Sequence, residues 1–297
     1  MLPIVFLFPF IWMILTSIKT YGETIVYPPT IFPAVPQWIN FQKVWESGPY
    51  LMYLRNSVVV TLSVIALQTL VMLPAAYAFG RYKFRGRDFC FGIVMLAFMI
   101  LGELTFISIY LMMANAGLLK SLWPQILPFG ANAFGIFMLR QTFKQVPDEL
   151  IESARLDNAS EMSILFRIML PMAKSSTVAL TMFSFISHWN DYFWPFVMTN
   201  SISVRPLTIG IAALRDIEGS HQWEIIMAGN VILVLPIITV YLLFNKRIIS
   251  AFTYPQYVRV HSPCASCQRL VSEFRRRQRQ GCAERCDARP LIRQDEQ

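Results

Sequence analysis

The chain has 297 residues, 55% of them apolar and only 15% charged, with 26 Lys and Arg against 18 Asp and Glu for a formal net charge of +8. The apolar residues are gathered into runs too long for a soluble core, which excludes a water-soluble globular fold and predicts an all-α polytopic membrane protein. No Gly-x-x-x-x-Gly-Lys-Ser/Thr, His-Glu-x-x-His or Gly-x-Ser-x-Gly pattern occurs, so the chain is expected to carry no ATP site, no hydrolase site and no cofactor of its own.

Six spans are predicted in chain order, near 2–17, 54–79, 89–114, 122–143, 176–198 and 225–244. The first starts at the initiator Met with no basic leader and no small-residue cleavage site, so it reads as a span rather than a removable signal peptide. Short cytoplasmic loops retain Lys and Arg. Arg81, Lys83, Arg85 and Arg87 collect after the second run, Arg140, Lys144, Arg155, Arg167 and Lys174 between the fourth and fifth, and Lys246 and Arg247 after the sixth. These three regions alternate correctly with six spans, putting both termini in the cytoplasm and the loops 19–55 and 200–223 outside. The first of those loops, with Pro28, Pro29, Pro33 and Pro36, suits a rigid exposed or interfacial segment.

Between the fourth and fifth runs lies the one stretch where polar and charged residues are packed in a distinctive order, 147–171. Leu150, Ile151 and Ala154 recur at helical spacing while Glu149, Glu152 and Arg155 cover the other face, which predicts a short amphipathic helix. Asn158 falls where that helix must turn sharply, and after Gly it is among the residues that best tolerate a left-handed backbone. Ser160 is placed to cap a second helix carrying Ile164, Leu165 and Ile168, and Pro171 marks the return to the membrane. The alternative is an ordinary interfacial loop lying on the bilayer.

In the fifth run, Trp189-Asn190-Asp191-Tyr192-Phe193-Trp194-Pro195 sets an amide and a carboxylate among aromatics at membrane depth, where unpaired polar groups are expensive. Such groups face a solute path, a partner subunit or a packing contact, and these alternatives stay open for Trp189, Asn190 and Asp191. His188 reads as a hydrogen-bonding residue rather than a proton relay. Glu103, the other carboxylate inside a span, either lines the path or satisfies a kinked backbone beside Gly102.

Taken together, these segments resemble the permease subunits of bacterial ABC importers, in their carbohydrate branch of maltose and glycerol-phosphate type, over about residues 1–254. The resemblance rests on Glu152-Ser153-Ala154, Asp157-Asn158-Ala159-Ser160, Ile168, Leu170 and Pro171 in the coupling segment. It also rests on Trp12 to Lys19 (WMILTSIK), Arg55-Asn56-Ser57, Ala75-Ala76-Tyr77-Ala78-Phe79 with Arg81 and Phe84-Arg85-Gly86, Phe137 to Gln141, and Trp189 to Pro195. It implies a subunit of the bacterial cytoplasmic (inner) membrane that moves a sugar or sugar-like solute but hydrolyses no ATP. The implied partners are a second permease, two cytoplasmic ATPase subunits, an extracytoplasmic solute-binding protein and the bilayer, with no nucleic acid. It further implies that Glu152, Ser153, Ala154, Asp157, Asn158, Ala159, Leu170 and Pro171 couple to the ATPase, Glu152 as polar anchor and Ala154 and Ala159 by allowing close approach. In maltose-type transporters the solute can be held mainly by the partner permease. Two departures stand out: the family's usual Gly is Asn158 here, and the basic segment it carries before the first span is missing, which suggests a truncated start. A secondary transporter or channel is the competing class; it needs intramembrane ionisable residues or interrupted helices in matching halves, offers only Glu103 and Asp191, and leaves the coupling segment unexplained.

After residue 254 the chain changes character. Residues 255–297 hold nine Arg, no Lys and five acidic residues, hence +4, with four of the five cysteines. Cys264, Cys267, Cys282 and Cys286 have a spacing that suits tetrahedral zinc, and the run Arg275 to Arg279 suits an anionic lipid or nucleic acid. The plainer reading is a disordered or aberrant extension, as from a shifted reading frame.

Overall fold

The computed structural model describes residues 2–100, 102–215 and 222–253, with side chains described from residue 6 onward except at 103 and 245–253. The expectations for the 255–297 tail and its cysteines, and for the side chain of Glu103, therefore fall outside the described residues. All regular structure among the described residues is helical.

The principal helices are α1 (Leu2–Ser17), α2 (Tyr50–Arg81), α3 (Arg87–Met99), α4 (Gly102–Asn115), α5 (Ala133–Lys144) and α6 (Asp148–Leu156). They are followed by α7 (Glu161–Met172), α8 (Lys174–Asn190), α9 (Phe193–Met198), α10 (Leu207–Ala213) and α11 (Trp223–Thr253). Helix α2 is the axis of the fold. Its buried residues, Tyr50, Tyr53, Asn56, Ser57, Val60, Val64, Gln68, Met72, Ala76 and Tyr77 among them, recur every three or four positions and make one continuous stripe. The opposite face exposes Leu51, Leu62 and Leu70, an apolar surface that suits lipid or a neighbouring subunit.

Two helices, α2 and 223–244 of α11, are long and apolar enough to cross a bilayer unaided; two bent pairs, α3 with α4 and α7 with α8, bring the candidates to four. Three runs expected to be single spans are thus interrupted. In the third, α3 and α4 meet at 98° where Ile100 takes an extended backbone. In the fourth, a turn at Trp123–Ile126 and a 3₁₀ turn at Leu127–Phe129 precede α5, whose N-cap Asn132 accepts a hydrogen bond from the Gly135 N–H at 3.0 Å; Pro124 and Pro128 lack the N–H a continuous helix needs. In the fifth, α8 stops at Asn190 because Pro195 can neither bond nor sterically tolerate the carbonyl of Asp191 four residues back.

The expected outer loop 200–223 holds regular structure of its own. It contains α10, whose residues Leu207 to Ile211 are all buried, so it is part of the core rather than a surface connection. Side chains of α2 hold it: Asn56 Nδ2 donates to the carbonyls of Ser203 and Arg205 at 2.8 and 3.0 Å, Ser57 Oγ accepts from the Leu207 N–H at 2.8 Å, and Tyr50 donates to the carbonyl of Gly210 at 2.9 Å. The two larger of three buried clusters lie along α2. One gathers Met72, Leu73, Leu139, Phe143, Ile151, Ile164 and Met169; the other gathers Tyr50, Tyr53, Phe185, Trp189, Leu207, Ile211 and Ala228.

Candidate functional site

Helices α6 and α7 form the helix-turn-helix expected at 147–171. Ile151 and Ala154 of α6 are buried, with Asp148 and Glu149 in its first turn and Arg155 in its last, the charge order that favours a helix dipole. The Ala159 N–H bonds the Ala154 carbonyl and the Asn158 N–H bonds the Arg155 carbonyl, both at 3.0 Å, which is a Schellman ending. That motif demands a left-handed residue at Asn158, and its φ of 55° makes it the one non-glycine residue with positive φ among those described. Ser160 caps α7 by accepting from the Ser163 N–H at 3.3 Å. Helix α7 then widens into a π-helix at Leu165–Met169 and runs on through Pro171, so the turn comes at Ala173, where α7 and α8 meet at 83°.

This geometry sorts the residues expected to couple. Glu152, Ser153, Asp157, Asn158 and Pro171 are exposed, whereas Ala159 and Leu170 are half-buried. Ala154 is 9% exposed and lies in the chain's own core cluster, so its small side chain serves the packing of α6 first. The sequence reading missed Leu156 and Met162, 84% and 62% exposed at the tip of the knob, an apolar surface of the kind found at interaction sites. It also missed Glu161. One carboxylate oxygen of Glu161 accepts from the Tyr77 hydroxyl at 2.6 Å and the other from Arg155 Nε at 3.0 Å. The Tyr77 hydroxyl, with smaller contributions from Tyr82 and Arg155, holds the Glu161 carboxyl below the usual carboxylate range.

The break in the fifth run separates its polar residues. Trp189 is buried, stacks on Phe185 at 5.5 Å and donates Nε1–H to the carbonyl of Leu233 at 3.0 Å, tying α8 to α11. Asp191 Oδ1 accepts from the Trp194 N–H at 3.3 Å, and its own carbonyl accepts from Thr208 Oγ1 at 2.9 Å. Trp189 thus fixes α8 to α11, and Asp191 holds the break itself. His188 packs edge-on against Phe129 at 4.7 Å and stands 3.4 Å from the amide nitrogen of Gln68, in line with a hydrogen-bonding role. Gln68 is buried in mid-helix and joins two elements, donating to the Phe129 carbonyl at 2.9 Å and accepting from Ser184 Oγ at 2.6 Å.

Asn190 differs from its neighbours. Its amide nitrogen bonds the Ile186 carbonyl one turn back at 3.0 Å, and its side chain lines a cavity of about 430 Å³ with Tyr192, Thr208, Arg215 and Asn230 over an apolar floor of Ile211, Ile226 and Leu233. Arg215 makes no ion pair with a described residue, and no acidic side chain among the described residues lines the cavity. Asn230 left a signal in the sequence, a carboxamide inside the last apolar run; Arg215 left none. Among the described residues no cluster of His, Cys, Asp and Glu has the arrangement of a metal site.

Residues 69–254 match the family model described as binding-protein-dependent transport system inner membrane component. The chain is 31% identical over 226 residues, 74% of its length and 80% of the other's, to the sn-glycerol-3-phosphate transport system permease protein UgpE of Yersinia pestis. It is 29% identical over 256 residues, 85% of its length and 91% of the other's, to the arabinooligosaccharides transport system permease protein AraQ of Bacillus subtilis. Its fold is shared with a chain of the crystal structure of a bacterial ABC transporter involved in the import of the acidic polysaccharide alginate, with a TM-score of 0.73 and 23% identity over 82% of this chain and 91% of that one. A fold with a buried helical axis, broken spans and a projecting two-helix knob, matched over most of its length by transport permeases, has one consistent classification: this chain belongs to the family of binding-protein-dependent transport system inner membrane components.

Proposed function

We propose that the chain is the membrane-spanning permease of an ATP-driven importer for a sugar or sugar-like solute. Separate ATPase subunits power it, a second permease completes the path, and an extracytoplasmic binding protein delivers the solute. The observation that carries this reading is the knob. Its inner face is anchored in the chain's own core while Glu152, Ser153, Asp157 and Leu156 project outward on a rigid turn, which supports docking to a partner. Glu152 is the polar anchor and Leu156 the apolar one; Ala154 contributes through packing, and Leu170 and Pro171 lead the knob back towards the membrane. Six membrane passages, with the broken helices completing α2 and α11, and both termini in the cytoplasm agree with the clustering of Lys and Arg. The permease domain is residues 1–254, with 255–297 a separate extension.

The solute path on this subunit is the cavity at Asn190, with Arg215 and Asn230, while Trp189 and Asp191 are its scaffold. Carboxamides and a guanidinium over an apolar floor suit a polyhydroxylated solute. The relatives named for glycerol phosphate, arabinooligosaccharides and alginate support that class. Co-purification tests the reading: Glu152→Lys is expected to leave the chain membrane-inserted and to lower recovery of the ATPase subunit, because a repulsive charge replaces an attractive one at the contact. Undiminished recovery removes Glu152 as the anchor, and recovery of no ATPase with the unaltered chain removes the reading itself.

A further inference from the structure

The stretch from Ala75 to Gly86, singled out in the sequence without any assigned role, closes on the knob. Arg81 is the last residue of α2, its side chain only 9% exposed. It donates to the Asp148 carboxylate in the first turn of α6 and to the carbonyls of Phe143 and Val146 at the end of α5. One guanidinium therefore holds α2, α5 and α6 together, a task that uses the planar fork of donors and that a lysine ammonium matches poorly. One turn earlier, Tyr77 bonds Glu161 at the start of α7, and Glu161 bonds Arg155 at the end of α6. Arg140 of α5 completes the joint, donating Nε–H to the Phe79 carbonyl at 3.1 Å and lying 3.8 Å above the ring of Phe91 in α3.

The other exit from the knob is built differently. Helix α7 passes into α8 through the 83° bend at Ala173, which no ion pair between described residues spans; the side-chain ties of α8 to its neighbours are neutral, among them Ser176 Oγ with Thr142 Oγ1 of α5 at 3.1 Å and Ser184 Oγ with Gln68 of α2 at 2.6 Å.

We infer that Arg81 and Tyr77 are positioning residues that make the knob, α5 and the second span one rigid body, so that displacement of the knob by the ATPase enters α2 directly while α8 turns about Ala173. This rests on the function proposed above. Interlocked hydrogen bonds with buried charge resist relative motion, whereas a bend held by backbone and by single neutral side-chain hydrogen bonds gives way first.

The test uses the chain assembled with its second permease, ATPase and binding protein, with Cys90, Cys264, Cys267, Cys282 and Cys286 replaced by Ser. Spin labels at Glu149→Cys on the knob and Leu70→Cys on the second span give one distance; Glu149→Cys with Phe183→Cys on α8 gives the other. Pulsed-EPR distances are read without nucleotide and with ATP and vanadate. The knob-to-α2 distance is expected to stay constant through the cycle while the knob-to-α8 distance changes. Adding Arg81→Gln should make the first distance change as well, and solute moved per ATP should fall several-fold while stimulation of ATP hydrolysis by loaded binding protein persists. Arg81→Lys should not restore the ratio. Tyr77→Phe removes one hydroxyl with the ring retained and should lower transport per ATP by about threefold; it decides the matter if Arg81→Gln fails to assemble. A knob-to-α2 distance that changes in the unaltered complex overturns the inference, as does an unchanged transport-to-ATP ratio in Tyr77→Phe. A complex that moves solute without ATP overturns the proposed function and this inference together, an outcome distinct from either.

Discussion

The two ends of α2 are fastened by different chemistry. At the knob, the ties are charged: Arg81 to Asp148 and Arg155 to Glu161, with Tyr77 on the same carboxylate. At the other end and along the middle, neutral side chains reach the backbone of interrupted helices. Asn56 serves the carbonyls of Ser203 and Arg205, Tyr50 that of Gly210, Gln68 that of Phe129, Gln125 that of Val204 and Trp194 that of Pro124. The difference follows from dielectric. The carboxylates at the knob, Asp148 at 78% and Glu161 at 43% side-chain exposure, keep much of their solvation, whereas in a dry region each free carbonyl must find a neutral donor. The broken helices are held because α2, together with Gln125 and Trp194, supplies those donors.

This comparison is open to attack in order of expected effect. Asn56→Leu keeps the branched shape but leaves two part-buried carbonyls without their donor, at about 1–3 kcal/mol together; thermal unfolding in detergent should show a large drop in midpoint and poor recovery of folded protein. A loss no greater than that of an exposed substitution such as Leu62→Ala would break the claim that α2 holds α10. Gly210→Ala comes next, because a Cβ there runs into the ring of Tyr53, with Cε2 at 2.8 Å, and overpacking costs about 1–3 kcal/mol. The same assay checks it, and wild-type stability would show that the Tyr53 ring gives way freely.

At the knob the effects are smaller and depend on the turn. Asn158→Val forces a β-branched residue into positive φ and should cost about 1–2 kcal/mol, lowering co-purification with the ATPase, while Asn158→Gly should be neutral or better. Equal tolerance of Val and Gly would show that the Schellman turn is not needed for docking. The weakest effect, and the sharpest contrast, is with pH. The Glu161 carboxyl is held below its ordinary value, so the stability it contributes is present above the unfolded value and is lost as pH falls through the folded one. Hydrogen exchange at α7 amides should therefore speed up as pH drops below the usual carboxylate range, after correction for intrinsic rates, whereas α10, held by neutral donors, should keep its protection. Equal loss at both places would erase the distinction between the two ends.

What the sequence determined by itself was local. The amphipathic α6, the left-handed Asn158, the Ser160 cap and the membrane class are all set by residues within about one turn of each other or by composition, so spacing reveals them. The interruptions at 127–132 and 191–192 were half-legible, since Pro128, Asn132 and Pro195 were in view, but unbroken hydropathy hid them. Only the tertiary structure decided that 207–211 is core, that Trp189 fixes α8 to α11 and Asp191 serves the break while Asn190 faces a cavity, and that Arg81 and Tyr77 belong to the knob. The physical reason is distance along the chain. Asn56 and Arg205 lie 149 residues apart, and Tyr77 and Glu161 lie 84 apart; no periodicity encodes which carbonyl a buried amide will meet, because packing alone brings the two together.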